Sequence, residues 1–152
     1  SALVASQTES VALSREFAQL RAYLDIMSLR MGPRLAYRLD LPASLEQTAV
    51  PPMLLQPLVE NAIKHGLEPK VGPGSIEVVA RVTGAGIEIR VTDSGLGLPP
   101  DEDPDFSTGP TNPNYGLGHV RDRLRAVYGP AARLSLERRN PNGVCAVVFI
   151  PT

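Results

Sequence analysis

PPMLLQPLVENAIKHG, Pro51–Gly66, is the stretch whose reading decides the rest of the chain. Leu54, Leu55, Leu58, Val59, Ala62 and Ile63 recur at spacings of three and four, which describes one buried face of a helix. Pro51 and Pro52 are read as its opening, because proline at a first turn lacks only an N–H that would be unpaired anyway. Asn61, Lys64 and His65 stand at i, i+3 and i+4 and are predicted to share a second face, with Gly66 as a left-handed stop. An amide, an ammonium and an imidazole together suit a ligand with phosphates and a hard cation. Taken alone, the same residues equally describe a solvated helix face.

Upstream, Val11 to Arg30 contains no proline or glycine, and Leu13, Phe17, Leu20, Leu24, Met27 and Met31 alternate steps of four and three. This is a heptad seam, and it fits either a bundle helix or a helix lying on its own domain. Gly32-Pro33 breaks it, and Leu35, Tyr37, Leu39 and Leu41 then alternate as a half-buried strand. Downstream, Ile76 to Val82 and Ile87 to Val91 alternate around Gly84-Ala85-Gly86 and predict a hairpin. Residues 98 to 114 carry five prolines and four acidic residues with no periodicity, a loop long enough to be functional. Val120, Leu124, Val127 and Tyr128 mark an amphipathic helix ended by Gly129-Pro130. Two strands follow, one around Leu134 and Leu136 and one over Val144 to Ile150, joined by an Asn142-Gly143 turn. Strands joined partly by hairpins and partly by helices predict a two-layer α/β sandwich, a mixed sheet with helices on one face.

The 152 residues suffice for one cored domain, and the net charge of −1 gives no ground for a nucleic-acid partner or direct membrane contact. A single cysteine, Cys145, excludes a disulfide framework and points to a reducing, cytoplasmic setting. No apolar stretch approaches bilayer-spanning length. The chain begins at Ser1 without methionine and reads as a piece of a longer protein, whose parent could be anchored in the inner membrane.

Three motifs bear chemistry. Asp93-x-Gly95-x-Gly97 follows a strand, where a carboxylate can accept from a purine amine and the glycines permit close backbone approach. Gly116-x-Gly118 opens a helix, a plausible phosphate site. Neither a P-loop nor a dinucleotide fingerprint is present. In this order VENAIKHG, VTDSGLGL and NYGLGHVRDRL resemble the nucleotide-binding boxes of the GHKL ATPase superfamily of gyrase, Hsp90, histidine kinases and MutL. Within it, PPMLLQPLVENAIKHG, the upstream REFAQLRAYLDIMSLRMGPRL and the VRDRL helix resemble LytS-type sensor histidine kinases, from about Leu13 to Ile150.

The resemblance implies a Bergerat fold over residues 33–152, with residues 1–32 as the second helix of a dimerisation and phosphoacceptor region that would make the parent a homodimer. It implies ATP and Mg²⁺ as ligands, with Asn61 holding the Mg²⁺ that bridges the phosphates. Lys64 and His65 would line the phosphate side, Asp93 would read the adenine amine, and Gly95, Gly97 and Leu98 would shape the floor. Residues 98–115 would form a lid, and Gly116, Leu117 and Gly118 would meet phosphate. Asn114, where the family's first glycine of that box is usual, and Gly118-His119 depart from the pattern.

Pro57 stands where hydrolytic members carry a water-activating glutamate, and Glu60 is the substitute acid/base candidate. The expected reaction is therefore γ-phosphoryl transfer to a histidine and onward to a response regulator. Neither His65 nor His119 sits in a phosphoacceptor box, so this chain alone is expected not to phosphorylate itself. A catalytically inactive nucleotide-binding scaffold and a serine kinase of the anti-sigma type are the alternatives. Arg121, Arg125, Arg133, Arg138 and Arg139 form the one basic concentration.

Overall fold

A computed structural model describes residues 9–97 and 117–152. The loop predicted over residues 98–114, with Leu98 and Asn114, and the adjoining Gly116 lie outside them. Five strands form one mixed sheet in the order β2-β4-β5-β7-β6. These are β2 (Leu35–Asp40), β4 (Gly74–Val82), β5 (Gly86–Asp93), β6 (Arg133–Arg138) and β7 (Val144–Pro151). Only the β2–β4 pair is parallel, and the remaining ladders are antiparallel. The alternation read in the sequence sends Ile76, Val78, Ala80, Ile89 and Val91 into the core. The opposite face carries an ion-pair ladder in which Glu88 accepts from Arg81 at 2.8 Å and Arg90 at 2.7 Å. β7 is buried on both faces, Cys145 and Val147 on the one and Ala146, Val148 and Ile150 on the other.

Helix α1 (Leu13–Met31) sits on the apolar layer, and its seam residues Leu13, Phe17, Leu20, Leu24 and Met27 are all buried in the chain's own core. Ala18, Ala22, Ile26 and Leu29 face outward. Each buried side chain of this size stabilises by about 1.5–3 kcal/mol. Leu24→Ala is therefore expected to cost about 2–5 kcal/mol in denaturant unfolding, and Ile26→Ala under about 0.5 kcal/mol. Equal small effects would mean that α1 is not part of this core.

The deciding stretch begins its helix later than the sequence predicted. Residues Pro51–Leu55 form a turn in which Met53 has φ +61°, and α2 starts at Gln56 with Pro57 in its first turn. After Asn61 the helix widens into a π-turn over Ala62–Leu67, closed by an i→i+5 bond from Glu68 N–H to Ile63 O at 2.8 Å. Gly66 is therefore not a left-handed stop, since it lies inside that turn and has no positive φ. A two-residue ribbon, β1 (Val11–Ala12) with β3 (Ala49–Val50), ties the start of α1 to the segment entering α2. Helix α3 (Gly118–Tyr128) ends at Gly129, φ +87°, as the sequence indicated.

Candidate functional site: a cavity between α2 and the sheet

A cavity of about 210 Å³ opens between α2 and the ends of β5, β6 and β7. Leu58, Asn61, Ala62, His65 and Gly66 supply the helix side, and Val91, Asp93, Leu136, Val144 and Ala146 the sheet side. Leu96, Gly97 and Leu117 close the rim. Apolar walls with one carboxylate at the base suit a flat heterocycle carrying an amine.

Asp93 ends β5 and is 4% exposed. Its Oδ1 accepts from Gly95 N–H at 2.8 Å, and Val144 N–H also bonds the carboxylate. Burial pushes its pKa up to about 6, while those two N–H groups and the charges of Arg139 and Lys70 pull the other way. A buried carboxyl poised near neutrality in a cavity marks a candidate site.

Three backbone approaches hold it in place. A Cβ on Gly66 would lie 3.0 Å from Asp93 Oδ1. One on Gly95 would lie 2.3 Å from the carbonyl carbon of Gly66, and Leu96 N–H donates to Gly66 O at 3.0 Å. One on Gly143 would lie 2.0 Å from Asp93 O. Helix α2 is thus seated directly on the Asp93–Gly97 turn, with no side chains between.

Of the residues picked from sequence, Asn61, His65, Asp93, Gly97 and Leu117 line the cavity, and Gly95 seats the helix beneath it. Lys64 and Glu60 are exposed and do not line it. The π-turn changes the helical phase after Asn61, so Lys64 no longer shares a face with Asn61 and His65. Gly118 starts α3 without lining the cavity. Burial, then the neighbouring Lys64 charge, lowers the His65 pKa and keeps its imidazole neutral near pH 7. Sequence reasoning missed Gly143 and Val144 as site residues, having read the first only as part of a turn and the second only as the start of a strand. No sequence signal marks them, because their place comes from the pairing of β7 with β5, which sets Val144 opposite Asp93. It also missed Lys70, whose Nζ donates to Ser94 O at 2.6 Å beside this turn.

Residues 52–152 match the model of the histidine kinase-, DNA gyrase B-, and HSP90-like ATPases. The chain belongs to that family. It is 32% identical over 145 residues to the sensor protein LytS of Bacillus subtilis, covering 93% of this chain and 24% of that protein. It is 31% identical over 145 residues to the sensor histidine kinase YpdA of Escherichia coli, covering 94% and 25%. The chain thus spans about a quarter of the length of these relatives. Its fold is that of the catalytic domain of histidine kinase ThkA, with a TM-score of 0.69 at 18% identity over 94% of this chain and 95% of that one. The family is thus the wider ATPase one, and the fold is that seen in a histidine kinase catalytic domain. No helix among the described residues is long and apolar enough to cross a membrane.

Proposed function

We propose that the cavity binds the adenine of ATP, and that the parent protein transfers the γ-phosphoryl to a histidine outside this chain. The single observation carrying this reading is the buried Asp93 carboxylate at the base of an apolar slot whose other wall presents Asn61 and His65. Asp93 accepts from the exocyclic amine, and Val91, Leu96, Leu136 and Ala146 pack on the ring. Asn61 would be the residue that holds the Mg²⁺ accompanying ATP. A single amide oxygen fits that cation, which keeps several waters and is usually completed by phosphate oxygens. Bound Mg-ATP would supply the phosphoryl group, and this chain's residues would serve by binding and orienting the nucleotide.

Asp93 and His65 are the only titratable side chains among the described residues lining the cavity, and Asp93 is committed to its floor. Transfer to a histidine needs no carboxylate to activate water, and the described lining offers none besides Asp93. A complex of histidine kinase ThkA with the response regulator TrrA shares the fold, with a TM-score of 0.68 at 17% identity over 94% of this chain and 41% of that one. A response regulator is accordingly the proposed next acceptor. A parent homodimer built through α1 has to use Ala18, Ala22, Ile26 and Leu29, because the heptad seam is already buried.

Calorimetric titration of ATP tests the site. The wild type is expected to bind, Asp93→Asn to lose binding, and Asn61→Ala to lose only the Mg²⁺-dependent increment. Affinity is expected to fall below pH 6 as Asp93 takes up a proton. Binding by Asp93→Asn equal to wild type sinks the assignment. Radiolabel appearing on this chain alone from γ-labelled ATP would show that the acceptor lies within it.

A further inference from the structure

Glu16 lies near the start of α1, is 2% exposed, and does not itself line the cavity. Its two carboxylate oxygens accept from the backbone on which α2 begins, Oε2 from Met53 N–H at 2.9 Å and Oε1 from Leu55 N–H at 3.2 Å. A helix start leaves such N–H groups without intrahelical partners, and Ser, Thr, Asp or Asn normally satisfies them locally. Here Met53, Leu54 and Leu55 have no oxygen to offer, and the helix start has no side-chain cap of its own. The cap arrives from another helix, 39 residues earlier in the chain. It also holds Met53 in the left-handed region, which an unbranched side chain rarely adopts.

Other bonds converge on the same connector. Leu13 N–H donates to Thr48 O at 2.8 Å and Ser14 N–H to Glu46 O at 2.9 Å. Tyr128 of α3 donates to Ala49 O at 3.2 Å. At its far end α2 rests through Gly66 on Gly95 with no slack. The helix bearing Asn61 is therefore held at two points, by Glu16 at its start and by the Asp93–Gly97 turn at its end.

We infer that Glu16 is a positioning residue for the nucleotide site, acting through the seating of α2 on the placement of Asn61. This rests on the reading of the cavity as the ATP site. It makes the N-terminal helix a coupled part of that site. A shift of α1 that lengthens the Glu16 bonds moves Asn61, and by reciprocity a bound nucleotide tightens those bonds.

The test is a double-mutant cycle on this chain. Glu16→Gln keeps the shape but turns an amide N–H₂ toward a backbone N–H. At a temperature where melting shows it folded, it is expected to weaken Mg-ATP binding about five- to tenfold. Mg²⁺-free ATP binding should change less than twofold, and the effect should vanish in an Asn61→Ala background. A structural role alone would lower the melting temperature without that dependence on Mg²⁺ and Asn61. Unchanged Mg-ATP affinity in folded Glu16→Gln, or an equal loss in both backgrounds, overturns the inference. Should Glu16→Gln not fold, hydrogen exchange on the wild type decides. Mg-ATP is expected to slow exchange at the Met53 and Leu55 amides, and unchanged exchange there overturns the inference as well. Asp93→Asn run in parallel separates the two failures. If it binds like wild type, the site reading falls and takes this inference with it. If it does not bind while the cycle is additive, only the role of Glu16 falls.

Discussion

Gly95→Ala is expected to abolish ATP binding and to destabilise the chain by at least about 2–3 kcal/mol, the cost of overpacking a well-filled site. The added methyl would stand 2.3 Å from the Gly66 carbonyl carbon, 2.4 Å from its oxygen and 2.5 Å from its Cα. None of these is the free end of a flexible side chain. Relief requires α2 to lift away from the Asp93–Gly97 turn, which breaks the bond from Leu96 N–H to Gly66 O and opens the cavity floor. Gly84→Ala is the matched control, because nothing lies within 4 Å of its added methyl and its φ is not in the left-handed region. Denaturant midpoints and ATP titration of the two variants are the measurements. A Gly95→Ala chain that melts and binds like the Gly84→Ala chain would show that α2 is not seated on this turn.

That contact also marks how far the sequence could be read. Alternation over Ile76–Val82 and Ile87–Val91 located strands of the sheet, because period-two burial records contact with a single packed layer, and the run over Val144–Ile150 was legible as a strand because it is apolar on both faces. Gly95 and Gly97 were legible as places of close backbone approach. What they approach was not, since Gly66 and Gly143 come from other parts of the chain. Helical periodicity placed Asn61 and His65 together correctly and Lys64 wrongly, because a π-turn leaves no mark on residue spacing. Glu16 stands three residues after Leu13 and four before Leu20, so its place on the buried face of α1 was visible. Its partners were not, because backbone N–H groups carry no sequence signature. The heptad seam illustrates the converse. Its pattern was real, but it serves the chain's own core.

Asp93→Asn is expected to separate stability from binding in opposite directions. In the folded chain burial raises the Asp93 pKa from 3.8 to about 6, so the folded state holds this proton more tightly than the unfolded state. As pH rises from about 4 to about 6 the unfolded chain ionises first, and the folded state loses stability progressively; above about 6 the loss is complete and constant. A shift of about two units corresponds to a loss of up to roughly 3 kcal/mol. Asparagine cannot ionise, and its Oδ1 can still accept from Gly95 N–H, so the variant escapes this loss. Its unfolding free energy should match the wild type near pH 4 and exceed it by about 1–3 kcal/mol at pH 7–8. With Oδ1 engaged by Gly95, the amide turns its N–H₂ toward the cavity, and a donor would then face the amine of the proposed adenine ligand in place of an accepting carboxylate. Stability would rise while ATP binding is lost, the pattern of a destabilising group kept for function. Parallel unfolding curves for the two chains between pH 4 and 8 would show that Asp93 carries no such penalty, and the case for a carboxylate held ready for a ligand amine would go with it.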